Sequence, residues 1–186
     1  MKNILFCGNI KVFDGMLTCM LSIFMRTKSG EPYHFYIFTM DVSHLREDYV
    51  PVSDEQIRFL QETAETYNKD NIVEKIDVTR IYEEEFANCP NEGAYCSPYT
   101  LLRLFADKIP DIPDKLLYLD ADILFNREPE LLYDVDVEGY EYAAARDHYG
   151  KYLINPNYIN AGVLLFNMAQ IRQTGLFEKA RELIKT

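Results

Sequence analysis

The chain has 186 residues, of which 48% are hydrophobic and 13% aromatic, so it can bury a substantial core and is too apolar to be disordered. Thirty acidic against nineteen basic residues give a formal net charge of −11, which argues against nucleic-acid binding, because that depends on Lys and Arg neutralising phosphates. No apolar run approaches the ~20 residues of a membrane-spanning helix, and the N-terminus shows no signal-peptide cleavage pattern. These properties predict a soluble, unprocessed protein.

The cysteines are Cys7, Cys19, Cys89 and Cys96, and their spacing matches no CxxC or CxxH motif. Two of them stand inside apolar segments, where a thiol behaves as a small hydrophobic group. This usage is typical of a reducing compartment, so we expect a cytoplasmic protein.

Apolar runs of strand length alternate with helix-like segments along the whole chain. The predicted strands are Asn3–Gly8, Tyr33–Met40, Asn71–Val78, Lys115–Asp120, Tyr140–Arg146 and Gly162–Met168. Several are apolar throughout, as in a sheet that is covered on both faces.

The main predicted helices run over Asp14–Thr27, from Ser53 to about Lys69, from Ser97 into the segment carrying Arg103, and over Ala169–Lys185. Ser53 and Gln56 form the pattern of a capping box. Ser97 followed by Pro98 is typical of an N-cap with proline in the first turn. The alternation predicts an α/β fold over residues 1–186 as one domain, with a mainly parallel central sheet and helices on both faces.

The run Lys115–Leu119 ends in Asp120-Ala121-Asp122, two carboxylates that need a compensating charge beside an apolar core. In such sheets, ligands bind beyond the carboxyl ends of the strands. If the segment is extended, both side chains point to the same side and can reach one cation. Oxygen ligands favour Mn²⁺ or Mg²⁺. Aspartates that merely end a strand in a turn have the same pattern.

A second pair, Asp134-Val135-Asp136, lacks a preceding apolar block and stands in a polar stretch. We therefore interpret this pair as a solvated turn.

The segments LLRLF, YLDAD, AAARD and NAGVLLFN occur in this order and at spacings that resemble glycosyltransferase family 8. This family comprises retaining enzymes that use nucleotide-diphosphate sugars and have a GT-A fold. The resemblance covers roughly residues 95 to 180 well, and the N-terminal strand and helix more weakly.

The resemblance implies that Asp120 and Asp122 bind Mn²⁺ or Mg²⁺, that the donor is a UDP-sugar, and that the acceptor is a glycan, a lipid-linked saccharide or a protein. The donor-binding positions that it implies are Cys7, Gly8 and Asn9 at the nucleobase, Arg103 at the sugar or diphosphate, Asp120 and Ala121 beside the metal, and Asp147 with Asn160 at the transferred sugar. It identifies no catalytic nucleophile.

The chain departs from the family pattern at Asn9, where members often carry an acidic residue, and at Leu101, where an aromatic residue is common. The family also has an acidic motif and a metal-binding histidine C-terminal to every segment present here, and His34, His44 and His148 do not stand at that position. We therefore expect a C-terminally truncated catalytic domain, or a minimal member with incomplete metal ligation.

Two other functions fit part of the pattern. A non-catalytic module that binds nucleotide sugars or glycans would keep the same fold. The sequence from Asp120 to Leu124 also resembles the first motif of haloacid-dehalogenase-type phosphatases, but that motif normally follows the first strand, whereas most of this chain precedes it.

Overall fold

The computed structural model describes residues 1–87, 89 and 97–186. It contains the strands β1 (Lys2–Cys7), β2 (Tyr33–Thr39), β3 (Ile72–Asp77), β4 (Lys115–Leu119), β5 (Tyr142–Arg146) and β6 (Ile159–Asn167). They form one sheet in the order β3-β2-β1-β4-β6-β5. All six predicted strands are confirmed, with boundaries that differ by up to three residues.

Five strands run in one direction and β6 runs against them. β1 pairs in parallel with β2 and β4, and β2 pairs in parallel with β3, whereas β6 is antiparallel to both β4 and β5. The sheet is therefore mixed, and a prediction of a mainly parallel sheet holds for its β3-β2-β1-β4 part. Sequence periodicity does not encode direction, because an apolar run has the same pattern in either orientation.

The α-helices are α1 (Phe13–Arg26), α2 (Asp54–Tyr67), α3 (Thr79–Phe86), α4 (Glu130–Tyr133), α5 (Gly150–Leu153), α6 (Met168–Thr174) and α7 (Leu176–Lys185). A short 3₁₀ turn, Ile10–Val12, precedes α1, and a longer 3₁₀ helix, Pro98–Lys108, is called here the Arg103 helix. No helix within the described ranges combines the length and apolar character needed to cross a membrane. A cytoplasmic location stays a prediction.

The helix termini confirm one sequence prediction and correct two. The capping box is present, since Ser53 Oγ accepts from the Gln56 amide and Gln56 Oε1 accepts from the Ser53 amide. Ser97 precedes the Arg103 helix, but its side chain makes no capping hydrogen bond. The prediction of a single helix over Ala169–Lys185 is wrong. Gly175 adopts a left-handed φ of 66°, which divides this segment into α6 and α7.

Each face of the sheet carries its own hydrophobic core, which confirms the prediction of helices on both faces. Residues alternate along β1, so that Leu5 joins one core while Ile4 and Phe6 join the other. The Leu5 side is covered by α3, the Arg103 helix, α6 and α7, and the opposite side by α1 and α2. The thiols of Cys7, Cys19 and Cys89 are free, and Cys96 lies outside the described residues.

A buried ion pair holds α7 against the Arg103 helix. Arg181, which is 3% exposed, donates from Nη1 to Asp107 Oδ1 at 2.7 Å and from Nη2 to Asp107 Oδ2 at 3.0 Å. Arg181 Nη1 also donates to the Leu104 carbonyl, in the residue next to Arg103. This two-point contact fixes α7 relative to the Arg103 helix.

A second, more exposed ion-pair network joins the same elements to α3. Glu85 of α3 pairs with Lys108 and with Lys185. The Arg103 helix is therefore anchored to its neighbours from two directions.

We predict that Asp107→Ala destabilises the fold far more than Asp114→Ala. Removing the Asp107 carboxylate leaves the buried Arg181 guanidinium without a counterion, which costs about 3 to 5 kcal/mol. Asp114 pairs with Arg172 but its side chain is 77% exposed, so its loss costs less than about 1 kcal/mol. Urea denaturation measures both free energies of unfolding, and equal losses would contradict the prediction.

A second prediction concerns acid stability. Burial raises the pKa of Glu85, but hydrogen bonds from Lys108 and Lys185 outweigh burial and lower it from 4.5 to about 2. The stabilisation from a lowered carboxyl pKa is present above the unfolded value and is lost as the pH falls through the folded value. In Glu85→Gln, the free energy of unfolding should therefore fall less steeply than in the unmodified chain as the pH drops from about 4.5 to 2.

The control for this experiment is Glu84→Gln, because the Glu84 side chain is 62% exposed and forms an ion pair with Arg80 one turn earlier on the same helix. Denaturation midpoints measured across this pH range should be the same for Glu84→Gln and the unmodified chain. A Glu85→Gln profile that matches them would show that Glu85 does not supply the acid-sensitive stability.

Candidate active site

A cleft of about 300 Å³ opens where the parallel strands β1 and β4 end at the same edge of the sheet. Six of the residues singled out in the sequence line it, namely Cys7, Gly8, Asn9, Asp120, Ala121 and Asp122. Tyr99, Thr100 and Tyr118 contribute to the same wall. The sheet therefore brings together two segments more than a hundred residues apart.

The β1 end of the cleft is held by contacts within the chain. Asn9 is 6% exposed, and its Oδ1 accepts from the Lys11 amide at 3.1 Å, capping the short 3₁₀ turn. A Cβ on Gly8 would lie 2.2 Å from a methyl group of Val12, so a larger residue here would displace the Val12 side chain. The Asn9 side-chain oxygen therefore already accepts a hydrogen bond. A ligand in the cleft would contact the backbone of Asn9 and the residues of the cleft wall.

Asp120 and Asp122 lie in a turn, so the expectation of an extended segment is wrong. β4 ends at Leu119, and the Ile123 amide donates to the Asp120 carbonyl at 3.3 Å. Asp120 is half-buried and Asp122 is exposed, yet both face the cleft. Aspartate is favoured in turns, and here the turn itself presents both carboxylates.

Helix α1 packs against this turn. A Cβ on Gly15 would lie 2.7 Å from the Ala121 carbonyl oxygen, so only glycine permits the approach. Cys19, one turn further along α1, is buried, and burial together with the nearby charge of Asp122 raises its pKa to about 12. Gly15 was not among the predicted site residues, although a glycine inside an amphipathic helix often marks such a contact.

Two hydrogen bonds and a close approach to Gly162 hold the Asp120 side chain and backbone. The Tyr118 hydroxyl donates to Asp120 Oδ1, and the Asp120 amide donates to the Gly162 carbonyl at 2.8 Å. A Cβ on Gly162 would lie 2.7 Å from Asp120 Oδ2. Tyr118 and Gly162 were not predicted as site residues, because their importance depends on the pairing of β4 with β6.

Arg103 lies against the same group. Its guanidinium stands over the Tyr118 ring, 4.6 Å from the ring centroid, and its Nη1 donates to the Ala161 carbonyl at 2.7 Å. Desolvation raises the pKa of the Cys7 thiol, the Arg103 charge opposes this shift, and the Asp120 charge adds to it. Asp120 and Cys7 line the same cleft.

Asp147 and Asn160 form a neighbouring pair. Asp147 Oδ1 accepts from the Gly150 amide at 2.6 Å and from the Tyr149 amide at 3.0 Å. The hydrogen bond from Gly150 lowers the pKa of Asp147, and a hydrogen bond from the Asn160 side chain acts in the same direction. Asp147 is therefore ionised at neutral pH.

Gly162 links this pair to Asp120. The Gly162 amide donates to Asn160 Oδ1 at 2.9 Å, and a Cβ on Gly162 would lie 3.3 Å from that oxygen and 2.7 Å from Asp120 Oδ2. The residues predicted around the transferred sugar therefore occupy the same edge of the sheet as the predicted metal ligands.

The carboxylates of Asp120 and Asp122 suit a divalent cation that prefers oxygen ligands, but they supply only part of a coordination shell. Within the described residues, no group of three or more His, Cys, Asp or Glu side chains could hold a metal ion. His34 pairs with Glu74, His44 lies in a turn, and His148 packs against Tyr149. Two protein ligands fit a metal that keeps positions for phosphate oxygens and water.

Comparison with known proteins gives a family match over almost the whole chain. The model of Glycosyl transferase family 8 matches residues 3–186. A Haemophilus influenzae protein described as a glycosyltransferase is 31% identical over 116 residues, which cover 57% of this chain and 35% of that protein. The glycosyltransferase GlyA of Streptococcus pneumoniae is 27% identical over 179 residues, covering 96% of this chain and 22% of GlyA.

Among solved structures, the galactosyltransferase LgtC in complex with donor and acceptor sugar analogues is similar, with a TM-score of 0.73 and 20% identity. The match covers 99% of this chain and 66% of LgtC. The predicted GT-A fold is confirmed, and proteins with this fold generally bind a divalent metal ion. The chain spans between a fifth and two thirds of the length of these relatives.

We predict that Gly162→Ala weakens metal binding without unfolding the protein. The new Cβ would stand 2.7 Å from Asp120 Oδ2 and would push the carboxylate out of its present orientation. Misorienting a ligand should raise the Kd for Mn²⁺ about tenfold. Gly30→Ala is the control, because a Cβ there meets nothing within 4 Å. Electron paramagnetic resonance of free Mn²⁺ measures the Kd of both variants, and an unchanged Kd in Gly162→Ala would contradict the prediction.

Proposed function

Because this chain belongs to glycosyltransferase family 8, we propose that it transfers a hexose from a UDP-sugar to a glycan, a lipid-linked saccharide or a protein, with retention of configuration. The observation that carries the proposal is the grouping of three side chains: Asp120 and Asp122 line the cleft together with Tyr118, and the Arg103 guanidinium stands over the Tyr118 ring. A cleft of about 300 Å³ is of the size that small-molecule sites have.

In the proposed complex, the nucleobase lies against Cys7, Gly8 and Asn9, and the diphosphate lies between Arg103 and the Asp120-Asp122 turn. Among the described residues, Arg103 donates to the Ala161 carbonyl from Nη1, and the planar guanidinium has further N–H groups to offer to phosphate or sugar oxygens. Lysine would serve this role poorly, because it offers a point charge in place of a fork.

The proposed cofactor is Mn²⁺ or Mg²⁺, held by Asp120 and Asp122. When bound, such a cation neutralises charge that develops on a diphosphate leaving group. The cation would also reduce the repulsion between an anionic nucleotide and a protein with a formal charge of −11. The carboxylates would contribute ligation and orientation, and Arg103 would contribute a fixed positive charge beside Tyr118, whose hydroxyl contacts Asp120.

We assign the transferred hexose to Asp147 and Asn160. The lowered pKa of Asp147 keeps its carboxylate ionised, so it can accept hydrogen bonds from sugar hydroxyls and cannot serve as a proton donor at neutral pH. The Asn160 side-chain oxygen accepts from the Gly162 amide at 2.9 Å, which fixes the orientation of the Asn160 side chain near Asp147. Together they would select a sugar by its hydroxyl pattern.

The two alternative functions make different predictions for the same assays. A non-catalytic module would bind UDP-sugars in a metal-dependent way without transferring or hydrolysing them. A phosphatase would release phosphate from generic phosphomonoesters, but the carboxylate pair follows β4 and not the first strand, as that motif requires. Family membership favours sugar transfer over both.

The test of this function is the coupling between metal and nucleotide. We expect UDP to bind more tightly with Mn²⁺ than with chelator, because the cation bridges carboxylates and diphosphate. Asp122→Asn should reduce the ratio of UDP affinity in Mn²⁺ to UDP affinity in chelator by at least about tenfold. It replaces a direct metal ligand, and even the loss of an outer-shell partner lowers metal affinity about tenfold. Isothermal titration calorimetry measures the affinities, and a panel of UDP-hexoses then identifies the donor by UDP release.

Asp134→Asn is the matched control, since Asp134 is exposed and belongs to the second, solvated Asp-Val-Asp sequence. It should bind UDP like the unmodified chain. Equal UDP affinity in Mn²⁺ and in chelator for the unmodified chain would contradict the metal-dependent mechanism.

A further inference from the structure

We infer that Tyr118 is a positioning residue of this site, and that its side chain orients a metal ligand and a donor-binding residue at the same time. The hydroxyl would fix the Asp120 carboxylate, and the ring would fix the plane of the Arg103 guanidinium. The inference rests on the proposed function, because it concerns how that site is held in shape.

Tyr118 has little freedom of its own. It lies in β4, is 1% exposed, and packs against Phe166 of β6 with 6.3 Å between ring centroids. A side chain enclosed in this way holds one rotamer, so the position of its hydroxyl is set by the sheet. That hydroxyl points out of the core to Asp120 Oδ1.

The hydroxyl leaves the carboxylate able to bind a cation. A carboxylate offers about four lone-pair sites, so donation by Tyr118 to Oδ1 uses one of them. On the other side, Oδ2 faces Gly162, where even a methyl group would not fit. Asp120 is thus held on both sides, and such outer-shell contacts orient metal-ligating carboxylates.

The ring performs the second task. The guanidinium of Arg103 stands 4.6 Å from the ring centroid, within the range of a cation–π interaction. Its Nη1 reaches the Ala161 carbonyl, and the next carbonyl along β6, that of Gly162, accepts from the Asp120 amide. Arg103, Tyr118, Asp120 and the start of β6 therefore form one closed set of contacts.

A purely structural role for the hydroxyl is the competing explanation. Any buried hydroxyl needs a hydrogen-bond partner, and Asp120 would satisfy that need even without a ligand. The two explanations differ in what the hydroxyl controls. A structural role changes the free energy of unfolding alone, whereas a positioning role also changes the affinity of the Asp120-Asp122 turn for Mn²⁺.

Tyr33→Phe supplies a matched control. Tyr33 is 2% exposed and its hydroxyl bonds to Thr27 Oγ1 at 2.9 Å and to the Glu130 carboxylate at 3.3 Å. It begins β2 and therefore lies at the opposite edge of the sheet from the cleft. The change in the free energy of unfolding of Tyr33→Phe gives the effect of removing a buried phenol hydroxyl beside a carboxylate at a position away from the cleft.

Two substitutions separate the tasks of the hydroxyl and the ring. Tyr118→Phe should raise the Kd for Mn²⁺ about tenfold, as loss of an outer-shell partner does, and should leave the Kd for UDP at saturating Mn²⁺ unchanged, because the ring still carries Arg103. Tyr118→Leu should raise both constants. Tyr33→Phe should change neither. Electron paramagnetic resonance measures Mn²⁺, calorimetry measures UDP, and urea denaturation measures stability.

Three results would overturn the inference. Mn²⁺ affinity of Tyr118→Phe equal to that of the unmodified chain would do so while leaving the proposed function intact. A Tyr118→Phe protein that loses its folded structure would assign the hydroxyl to stability. If the unmodified chain binds no Mn²⁺ and its UDP affinity does not respond to the ion, the proposed metal site fails and the inference fails with it.

Discussion

The hydrogen bond between the Asp120 amide and the Gly162 carbonyl joins the end of β4 to the start of β6, and the candidate site depends on this junction. It brings the carboxylates that follow one strand beside the polar residues that begin another. An aspartate at the border of an apolar core is costly unless charge or hydrogen bonds compensate it. Here Tyr118 supplies a hydroxyl and Arg103 a nearby positive charge.

Contacts well outside the cleft maintain this arrangement. Arg103 is carried by a 3₁₀ helix of 11 residues, a length at which this conformation is uncommon. The buried Arg181 ties that helix to α7 through Asp107 and the Leu104 carbonyl, immediately beside Arg103. The position of Arg103 is thus linked to the packing of α6 and α7.

Local chemistry made much of this structure predictable. Apolar runs of strand length identified all six strands. The Ser53 and Gln56 capping box was predictable because it depends on two residues three positions apart. Errors arose where distant contacts or a single backbone angle intervene. Gly175 could stand inside a helix or end one, and residue type alone does not show that its φ is left-handed and ends α6.

From the sequence alone came the α/β class, the strands, the pair of carboxylates and the family resemblance, because these are encoded in short patterns of residue type. Tertiary structure alone decided that β6 runs against its neighbours and that Asp120 and Asp122 lie in a turn. It also decided that Tyr118, Gly15 and Gly162 matter, since each acts on atoms supplied by another element. Contacts between elements depend on pairing and packing across the sheet, and sequence periodicity carries no record of either.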